Sequence, residues 1–591
     1  MKSIFFKIYN LLPFDERRKA WVLLALMFIG MLLETLGIGL VIPVIALMMQ
    51  DDLASNYPMI GFITNFFGIS TQAELITTVI LGLVAVYFIK NLFLSFLIWV
   101  QTHFAFNVQT KLGQQLFATY LYQPYTFHLQ RNSAQLLRNI TGELSVFTAV
   151  ITSSLLLLTE LLVLVGITIL LLVVEPMGAL IVFLVFGGVA WSFHRMTREY
   201  ISRWGIKRQH HDGLKIQHLQ QGLGGAKDVK LLGRESNFLA QFQIHNMKSA
   251  RVSKFHMILQ NFPRLMFELV AVIGLAVLVI SMLSQGKEMS IILPTLGLFA
   301  VAAFRLMPSV NRILGAVQTL RYSLPVVNLL DAELKLVEPK PTNQHIGGFD
   351  VFKKGLNLIN LKYFYPNTEI PALDGITINI QKGETIGLIG ASGSGKSTFV
   401  DIILGLLSPS AGCVNVDGHD IQLGLRQWQD QIGYVPQSIY LTDDTLRRNI
   451  AFGLPDDQID NAAVKNAIRS AQLEEFIASQ VDGIETIVGE RGVRLSGGQR
   501  QRIGIARALY HDPRVLVLDE ATSALDTTTE NGVIQAIMAM HGQKTIIIVA
   551  HRLSTIEHCD RLYRLAQGKI VEEGIPAKII PSTKITSSNE F

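Results

Sequence analysis

The segment at residues 390–397, GASGSGKS, has the residue types and the spacing that bind a phosphate chain. Its glycines let the backbone curl so that peptide N–H groups face phosphate oxygens. Lys396 is placed to reach the β- and γ-phosphates, and the Ser397 hydroxyl is a ligand suited to Mg²⁺. The sequence therefore predicts a nucleoside triphosphate site with contacts from Gly390, Ser392, Gly393, Ser394, Gly395, Lys396, Ser397 and Thr398.

Two carboxylates follow a second apolar run, in the segment RVLVLDE at residues 514–520. The run predicts a buried strand, and the acids stand at its end. Asp519 suits Mg²⁺, directly or through water, and Glu520 suits polarising an attacking water. The alternative is a pair of acids that face solvent, but the phosphate-binding segment favours the catalytic interpretation.

Two more motifs carry groups that can bind phosphate. The segment LSGGQRQR, residues 495–502, opens a helix with Ser496 at a capping position, so its hydroxyl, its glycine amides and the helix dipole make a second anion site. The segment TIIIVAHRL ends a strand with His551, which could contact a γ-phosphate. The alternatives are a plain capped helix and a histidine without a catalytic role.

Together these motifs resemble the nucleotide-binding domain of an ABC transporter, over residues 350–578. LSGGQ is the signature motif of that family. By this resemblance, Gln437 in YVPQS is the Q-loop glutamine, at the catalytic centre and the metal, and Tyr365 is the aromatic residue that stacks on adenine. SALD, at residues 523–526, resembles the D-loop, in which Asp526 lies near the nucleotide.

The resemblance implies an ATP hydrolase that uses ATP and Mg²⁺. In the family, Ser496, Gly497, Gly498 and Gln499 of one subunit face the ATP held by the phosphate-binding loop of the other. A single chain has one copy of each half-site. It is therefore expected to work as a homodimer.

The rest of the composition indicates a membrane protein. Half of the 591 residues are apolar and only 16% are charged, and charges are scarce before about residue 315. The net charge of +5 fits a positive cytoplasmic membrane face better than a nucleic-acid partner. The only cysteines, Cys413 and Cys559, lie in the polar part and argue against a disulfide framework.

Six apolar stretches are long enough, or nearly so, to cross a bilayer. Lys and Arg before the first stretch and between residues 195 and 254 place those segments in the cytoplasm, whereas residues 31–89 contain neither. The predicted spans are about 20–49, 75–104, 146–174, 177–193, 262–283 and 290–314.

The predicted fold is thus a six-helix, all-α transmembrane domain of the ABC exporter type followed by an α/β P-loop nucleotide-binding domain. The first domain covers 1–330, with long intracellular helices that turn near Gly222–Gly225 and a short external helix at about 57–70. A linker at 331–349 precedes the second domain, 350–591. A bacterial inner-membrane location is expected, with the second domain in the cytoplasm.

Four cations stand within the predicted spans: Lys90, Arg264, Arg305 and Arg312. Arg305 and Arg312 are seven residues apart, so they share a helix face. One interpretation is a cationic cavity lining that accepts a pyrophosphate. The other is structural: Lys90 pairs with Glu34, Arg264 pairs with Glu268, and Arg312 reaches the cytoplasmic interface.

The membrane part resembles the PglK-type flippases of lipid-linked oligosaccharides, from bacterial protein N-glycosylation. The resemblance lies in LLETLGIGLVIPVIAL (32–47), ITGELSVFTAVITSSLLLLTE (140–160) and FRLMPSVNRI (304–313). It implies a homodimer among membrane lipids that flips a polyprenyl-pyrophosphate-linked oligosaccharide from the cytoplasmic to the periplasmic leaflet. The alternatives are an exporter of another lipid, of the lipid A type, or of drugs or peptides. The intact catalytic motifs disfavour an ATP-gated channel. The predicted spans disfavour a soluble ABC protein of nucleic-acid repair or translation.

Overall fold

The structure is a computed structural model that describes residues 2–40, 72–174, 176–284, 289–336, 352–521, 527–550 and 552–580. Its internal contacts divide the chain into two compact units. One unit comprises residues 1–123 and 130–338, and the other comprises residues 124–129 and 339–591.

The described residues up to 336 are helical, as expected of apolar segments whose backbone polar groups must be satisfied without water. A short π-helical turn, Asn139–Glu143, joins two of the helices. The helices are α1 Lys2–Leu11, α2 Phe14–Gly39, α3 Gln72–Leu121, α4 Tyr125–Gln130, α5 Ser133–Arg138, α6 Leu144–Val174, α7 Pro176–Gly224, α8 Ala226–Leu231, α9 Glu235–Ser284, α10 Met289–Tyr322 and α11 Leu324–Leu334.

Three of these helices are much longer than a bilayer is thick. α3 and α9 have 50 residues each and α7 has 49. At 1.5 Å per residue each is about 75 Å long, whereas the hydrocarbon core measures about 30 Å. The predicted break between the long helices is confirmed, because α7 ends at Gly224 and α8 begins at Ala226.

Four helical segments of the described residues are long and apolar enough to cross a membrane: Phe14–Gly39, Ile76–Leu121, Ser133–Val173 and Glu235–Ser284. The count becomes five if Leu306–Tyr322 and Leu324–Leu334, bent by 48°, form one span. The predicted fourth span, 177–193, lies within α7 but is not among them. The predicted number of six spans therefore stays a prediction. Residues 41–49 of the first span and the external helix at 57–70 lie outside the described residues.

The predicted linker at 331–349 begins inside a helix. α11 runs to Leu334 because its apolar side chains, among them Val326, Val327 and Leu330, are buried within the first unit. This burial corrects the linker interpretation for its first four residues. Residues 337–349 of the predicted linker lie outside the described residues.

The second unit is an α/β domain with two sheets. Its strands are β1 Gly355–Tyr363, β2 Leu373–Gln381, β3 Thr385–Ile389, β4 Ala411–Val416, β5 His419–Asp420, β6 Ile432–Val435, β7 Val515–Asp519, β8 Thr545–Val549, β9 Arg561–Ala566 and β10 Lys569–Gly574. Its helices are α12 Lys396–Ile403, α13 Leu425–Gln429, α14 Leu446–Ile450, α15 Asn461–Ser470, α16 Glu474–Ala478, α17 Gly497–Leu509, α18 Thr527–Met538, α19 Leu553–Ile556 and α20 Pro576–Ile579.

The larger sheet has the order β10-β9-β3-β8-β7-β6, and β9, β3, β8, β7 and β6 run parallel. Every residue of β7 and β8 is buried, as expected of parallel strands covered on both faces. The smaller sheet, β2-β1-β4-β5, is antiparallel. Ligands of such folds bind at the carboxyl edge of the parallel sheet, where the segments after β3, β6, β7 and β8 meet.

Candidate functional site

The loop between β3 and α12 is the predicted phosphate-binding segment, and its glycines have positive φ angles. The angles are +153° at Gly390, +78° at Gly393 and +105° at Gly395. A Cβ added at Gly390 would lie 2.3 Å from the carbonyl oxygen of Leu565, and one at Gly395 would lie 2.7 Å from that of Ala372. Only glycine fits this backbone, so the loop can curl its peptide N–H groups around an anion.

Lys396, the first residue of α12, is almost fully buried. Its Nζ donates to the carbonyl oxygens of Gly390, at 2.7 Å, and Ala391, at 3.0 Å. Burial lowers the pKa of Lys396, whereas the carboxylates of Glu520 and Asp519 act in the opposite direction. The ammonium group therefore lies across the phosphate-binding loop, where the acids at the end of β7, Asp519 and Glu520, act on it.

The predicted Q-loop glutamine contacts Glu520, one of the two acids at the end of β7. Asp519 is the last residue of β7 and is buried. Gln437 lies two residues beyond β6, and its Nε2 donates to Oε2 of Glu520 over 2.6 Å. β6 and β7 are adjacent strands, so the fold itself brings these side chains together.

Glu520 has a backbone conformation that non-glycine residues rarely adopt, with φ of +51°. Its N–H donates to the carbonyl oxygen of Val549, at 2.9 Å, which holds the peptide against β8. Strained backbone of this kind is concentrated at functional sites, where the surrounding structure imposes it.

Tyr365 lies beside the phosphate-binding loop, as an adenine-stacking residue would. Its hydroxyl is 3.0 Å from Oγ1 of Thr398 on α12, and its ring contacts Tyr363 edge to face, with centroids 5.1 Å apart. The stacking role itself stays a prediction.

The signature segment forms the N-terminus of α17, with Ser496 as its N-cap. The N–H of Gln499 donates to Ser496 Oγ at 3.2 Å, and the N–H of Ser496 donates to Gln499 Oε1 at 2.8 Å. This reciprocal capping box fixes the first turn, and Ser496 is exposed. The predicted cap is confirmed. The role of Ser496, Gly497, Gly498 and Gln499 toward a second subunit stays a prediction.

Two predicted site residues, His551 and Asp526, lie outside the described residues. Ala550, the last described residue before His551, follows β8 and lines a cavity of about 760 Å³ together with residues 389–394 of the phosphate-binding loop. The described chain thus brings residue 550 to the loop that the sequence assigns to phosphate.

The residues present fit ATP and Mg²⁺. The glycine loop offers an anion cradle, and Ser397, Gln437 and Asp519 offer oxygen atoms, which Mg²⁺ prefers. No group of three or more His, Cys, Asp or Glu side chains within the described ranges is arranged to hold a metal. A site of one carboxylate, which is completed by substrate phosphates and water, is the usual arrangement for Mg²⁺.

Asp401, on α12, is a residue of this site that the motifs do not identify. Burial, and next the negative charge of Asp519, raise the pKa of Asp401 to about 6. The only sequence signal for it is an acid in the apolar helix that follows the glycine loop. Because Asp401 and Asp519 are far apart in the sequence, no motif indicates that the charge of one acts on the other.

Two of the four cations of the predicted spans form ion pairs. Lys90 and Glu34 are both buried, with 3.4 Å between Nζ and Oε2, which is the pair that the structural interpretation expects. NH1 of Arg312 donates to Oε1 of Glu160 on α6 over 2.5 Å. Glu160 was not identified from the sequence, because it lies 152 residues away from Arg312.

The predicted pair of the third cation, Arg264, can be checked directly. Arg264 and Glu268 are both exposed, and among the described residues no ion pair joins them, so the predicted pair is not formed. Arg305 belongs to α10, but its side chain is not among those described. The substrate role of all four cations stays a prediction.

Comparison with known families matches both parts of the chain. Residues 40–306 match the family described as "ABC transporter transmembrane region", and residues 373–523 match "ABC transporter". A solved structure described as "a bacterial Atm1-family ABC exporter with ATP bound" superposes with a TM-score of 0.77 at 23% identity, over 95% of this chain and 96% of that one. The predicted fold class, a helical transmembrane domain followed by an α/β nucleotide-binding domain, is confirmed.

Several curated relatives are named "ATP-dependent lipid A-core flippase". The relative from Cupriavidus pinatubonensis is 30% identical over 80% of both chains. The relative from Chromobacterium violaceum is 30% identical over 86% of both chains. The relative from Nitrosococcus oceani is 31% identical over 80% of this chain and 79% of its own.

Proposed function

Because this chain belongs to the ABC transporter family, in which it is an ATP-hydrolysing exporter half-transporter, we propose that it is a homodimeric flippase of the bacterial inner membrane. It moves a phosphate-bearing glycolipid from the cytoplasmic to the periplasmic leaflet, with its nucleotide-binding domain in the cytoplasm. The main support is the similarity to named lipid flippases, which extends over about 80% of the chain.

The roles proposed in ATP hydrolysis follow from the contacts around the glycine loop. Lys396 holds the β- and γ-phosphates once its ammonium group turns from the carbonyls of Gly390 and Ala391. Glu520 polarises the attacking water, and Gln437, bonded to Glu520, positions that carboxylate beside Asp519. When bound, Mg²⁺ neutralises charge on the phosphates.

Two classes of glycolipid fit the proposal, and both carry phosphate groups. A lipid A-core type of substrate comes first, because the named relatives have that function. A polyprenyl-pyrophosphate-linked oligosaccharide comes second, because the membrane segments resemble the flippases of protein glycosylation. Nucleic acid is not expected as a partner.

Among the cations of the predicted spans whose side chains the structure describes, Arg312 has the environment that best suits a lipid phosphate. A guanidinium group has five N–H donors, and the bond to Glu160 uses NH1. The Arg312 side chain is 49% exposed, whereas that of Glu160 is 6% exposed. Arg312 can therefore donate its remaining N–H groups to a phosphate while Glu160 holds the guanidinium group in place. Arg305 lies two turns away on the same face of α10 as Arg312.

The test is ATP-driven flipping in proteoliposomes, with lipid A-core and a polyprenyl-pyrophosphate oligosaccharide supplied separately. The variant Arg305→Ala/Arg312→Ala should lower flipping at least about tenfold relative to ATP hydrolysis, since each charge-assisted bond contributes about 1.5–3 kcal/mol. The matched Arg305→Lys/Arg312→Lys variant should lose less, because it keeps both charges.

A preference for one lipid decides between the two glycolipid classes. ATP-dependent flipping that is equal in wild type and the double alanine variant would leave these arginines as structural counter-ions. If wild type flips neither lipid yet hydrolyses ATP, the flippase proposal is wrong and the exporter alternatives for drugs or peptides remain.

A further inference from the structure

We propose that His194, Arg198 and Arg321 form a binding site for the phosphate group of an anionic phospholipid at the cytoplasmic surface of the membrane. These three residues are called the interfacial cation cluster below. His194 and Arg198 are one turn apart on α7, and Arg321 is the penultimate residue of α10. α7 and α10 pack against each other.

The geometry leaves the positive charge of the cluster in place. NH2 of Arg321 and Nε2 of His194 are 3.2 Å apart. A guanidinium group can only donate, so Nε2 of His194 accepts and the imidazole ring is neutral with its proton on Nδ1. His194 therefore orients Arg321 without neutralising it.

Arg198 adds a second charge to the cluster. It lies one turn after His194, on the same face of α7, and its charge acts on both His194 and Arg321. All three side chains are half-buried, and Nε of Arg321 is buried without a hydrogen-bond partner in the described structure. Two guanidinium groups thus repel each other where solvent screens them only in part.

Carboxylates pair with two other arginines of α7, but not with Arg198 or with Arg321 of α10. Arg203 lies 3.8 Å from Glu199, and Arg208 lies 3.1 Å from Glu143. Within the part of the chain that the structure describes, no ion pair to Asp or Glu involves Arg198 or Arg321. An external anion would offset the repulsion.

The position of the cluster identifies where that anion comes from. The apolar run of α7 ends at Phe193, one residue before His194, and basic residues then follow. Trp191 is 65% exposed and Tyr200 is 60% exposed, and the guanidinium of Arg195 lies 5.9 Å from the Trp191 ring. Exposed aromatic residues and cations of this kind mark the headgroup level of a cytoplasmic membrane face.

The cluster is distinct from the predicted substrate cations. Arg321 follows Arg312 by nine residues on α10, which is about two and a half helical turns. The two residues are therefore about 13 Å apart along the helix axis and lie on opposite faces of α10. Arg312 contacts Glu160 of α6, whereas Arg321 contacts His194 of α7. The proposed ligand is therefore a lipid resident in the cytoplasmic leaflet and not the transported glycolipid. Basic pockets between membrane helices are known to bind anionic lipid headgroups.

The test uses the purified full-length chain in phosphatidylcholine nanodiscs with and without phosphatidylglycerol. Phosphatidylglycerol retained after delipidation is counted by native mass spectrometry, and its dissociation constant is measured by titration of the protein's thermal unfolding midpoint. A basic residue near an anionic surface contributes about fivefold in affinity, so Arg198→Gln/Arg321→Gln should bind phosphatidylglycerol about thirtyfold more weakly. Arg203→Gln, on the same helix but outside the cluster, should bind as wild type does.

Three further arms sharpen the test. Arg198→Lys/Arg321→Lys should retain most of the affinity for phosphatidylglycerol, because the charge is kept. Each single glutamine variant should bind phosphatidylglycerol about fivefold more weakly. The single variants decide the question if the double variant does not fold. Inorganic phosphate should fail to displace the lipid, and lipid A-core should compete poorly. Equal binding of phosphatidylglycerol by wild type and the glutamine variants would overturn the proposal, and so would stronger binding of lipid A-core or inorganic phosphate at the cluster.

Discussion

At the residue scale, the most unusual conformation in the nucleotide site belongs to Glu520. A left-handed backbone costs a non-glycine residue about 1–2 kcal/mol. Glu520 is nevertheless held in this conformation, because its N–H donates to Val549 and its carboxylate accepts from Gln437. The two contacts fix the residue at the carboxyl ends of β7 and β8, beside the segment that follows β6. Such a fixed orientation is what a group that positions a water molecule needs.

Replacing Glu520 with Gln should abolish steady-state ATP hydrolysis while ATP binding is retained. The amide keeps the size of the side chain but cannot accept a proton, and loss of a general base costs about 100-fold or more in rate. Phosphate release by the reconstituted protein measures the loss of hydrolysis, and binding of a fluorescent nucleotide measures the retained affinity for ATP. The control is Glu475→Gln, an exposed acid on α16, which should hydrolyse ATP normally. Near-normal turnover of Glu520→Gln would remove the proposed role.

Asp401 predicts a pH-dependent stability. The pKa of Asp401 is about 6 in the folded protein and about 4 in an unfolded chain, because burial and the charge of Asp519 disfavour its ionised form. The unfolded state therefore loses its proton first as the pH rises. The folded state is penalised increasingly from about pH 4 to about pH 6, and fully above that range.

The variant Asp401→Asn should accordingly unfold at a higher temperature than wild type at pH 7.5, and the difference should shrink as the pH falls toward 5. Thermal unfolding of the detergent-solubilised protein at several pH values measures it. Asp457→Asn, an exposed acid on the same domain, serves as control and should show no such trend. A pH-independent difference would mean that Asp401 is not the titrating group.

At the scale of elements, the parts that follow from the sequence are those with local causes. The glycine loop was predictable because three glycines within six residues allow the positive φ angles that a curled backbone needs, and they stand between an apolar strand and an apolar helix. Strands β7 and β8 were predictable from continuous apolar runs, and the start of α17 from Ser496 followed three residues later by Gln499.

The parts that the sequence does not reveal depend on contacts between distant residues. The antiparallel sheet joins β1 to β4 through pairs such as Lys362 and Ala411, which no local pattern specifies. The Arg312–Glu160 pair likewise crosses from α10 to α6. The predicted Arg264–Glu268 pair was wrong although its spacing suits a helix, since exposed ion pairs contribute little and need not form.

The buried pair of Lys90 on α3 and Glu34 on α2 predicts a strong coupling between these helices. Lys90→Met removes the cation but leaves the buried acid, which should cost about 3–5 kcal/mol. Lys90→Met/Glu34→Gln should recover most of this loss, because no buried charge then lacks its counter-ion. Thermal unfolding and expression level measure both variants, with Lys227→Met, an exposed lysine of α8, as a control for the loss of a lysine. A double variant as unstable as the single would show that the pair does not couple the helices.

At the scale of the whole molecule, the chain carries one phosphate-binding loop and one signature helix. Ser496 and the N-terminus of α17 are fixed by their own capping box, and the hydroxyl-bearing residue is exposed. A helix N-terminus prepared in this way attracts an anion, so it suits the ATP held by a second copy of the chain. A symmetric dimer then contains two equal sites, each made of one loop and one signature.

Mixing two inactive variants tests this arrangement. Lys396→Ala disables every loop of its homodimer, and Ser496→Arg blocks every signature, so each variant alone should be almost inactive. A mixed dimer has one site in which the intact loop of the Ser496→Arg chain meets the intact signature of the Lys396→Ala chain. Coexpression in equal amounts yields half mixed dimers, so ATP hydrolysis should return to about a quarter of the wild-type rate if the sites act independently. Phosphate release by the unsorted mixture measures this value, and the mixed dimer isolated with two affinity tags should reach about half of the wild-type rate, because one of its two sites is intact. Purified monomers that hydrolyse ATP at the full rate without associating would show that the site does not need a second chain.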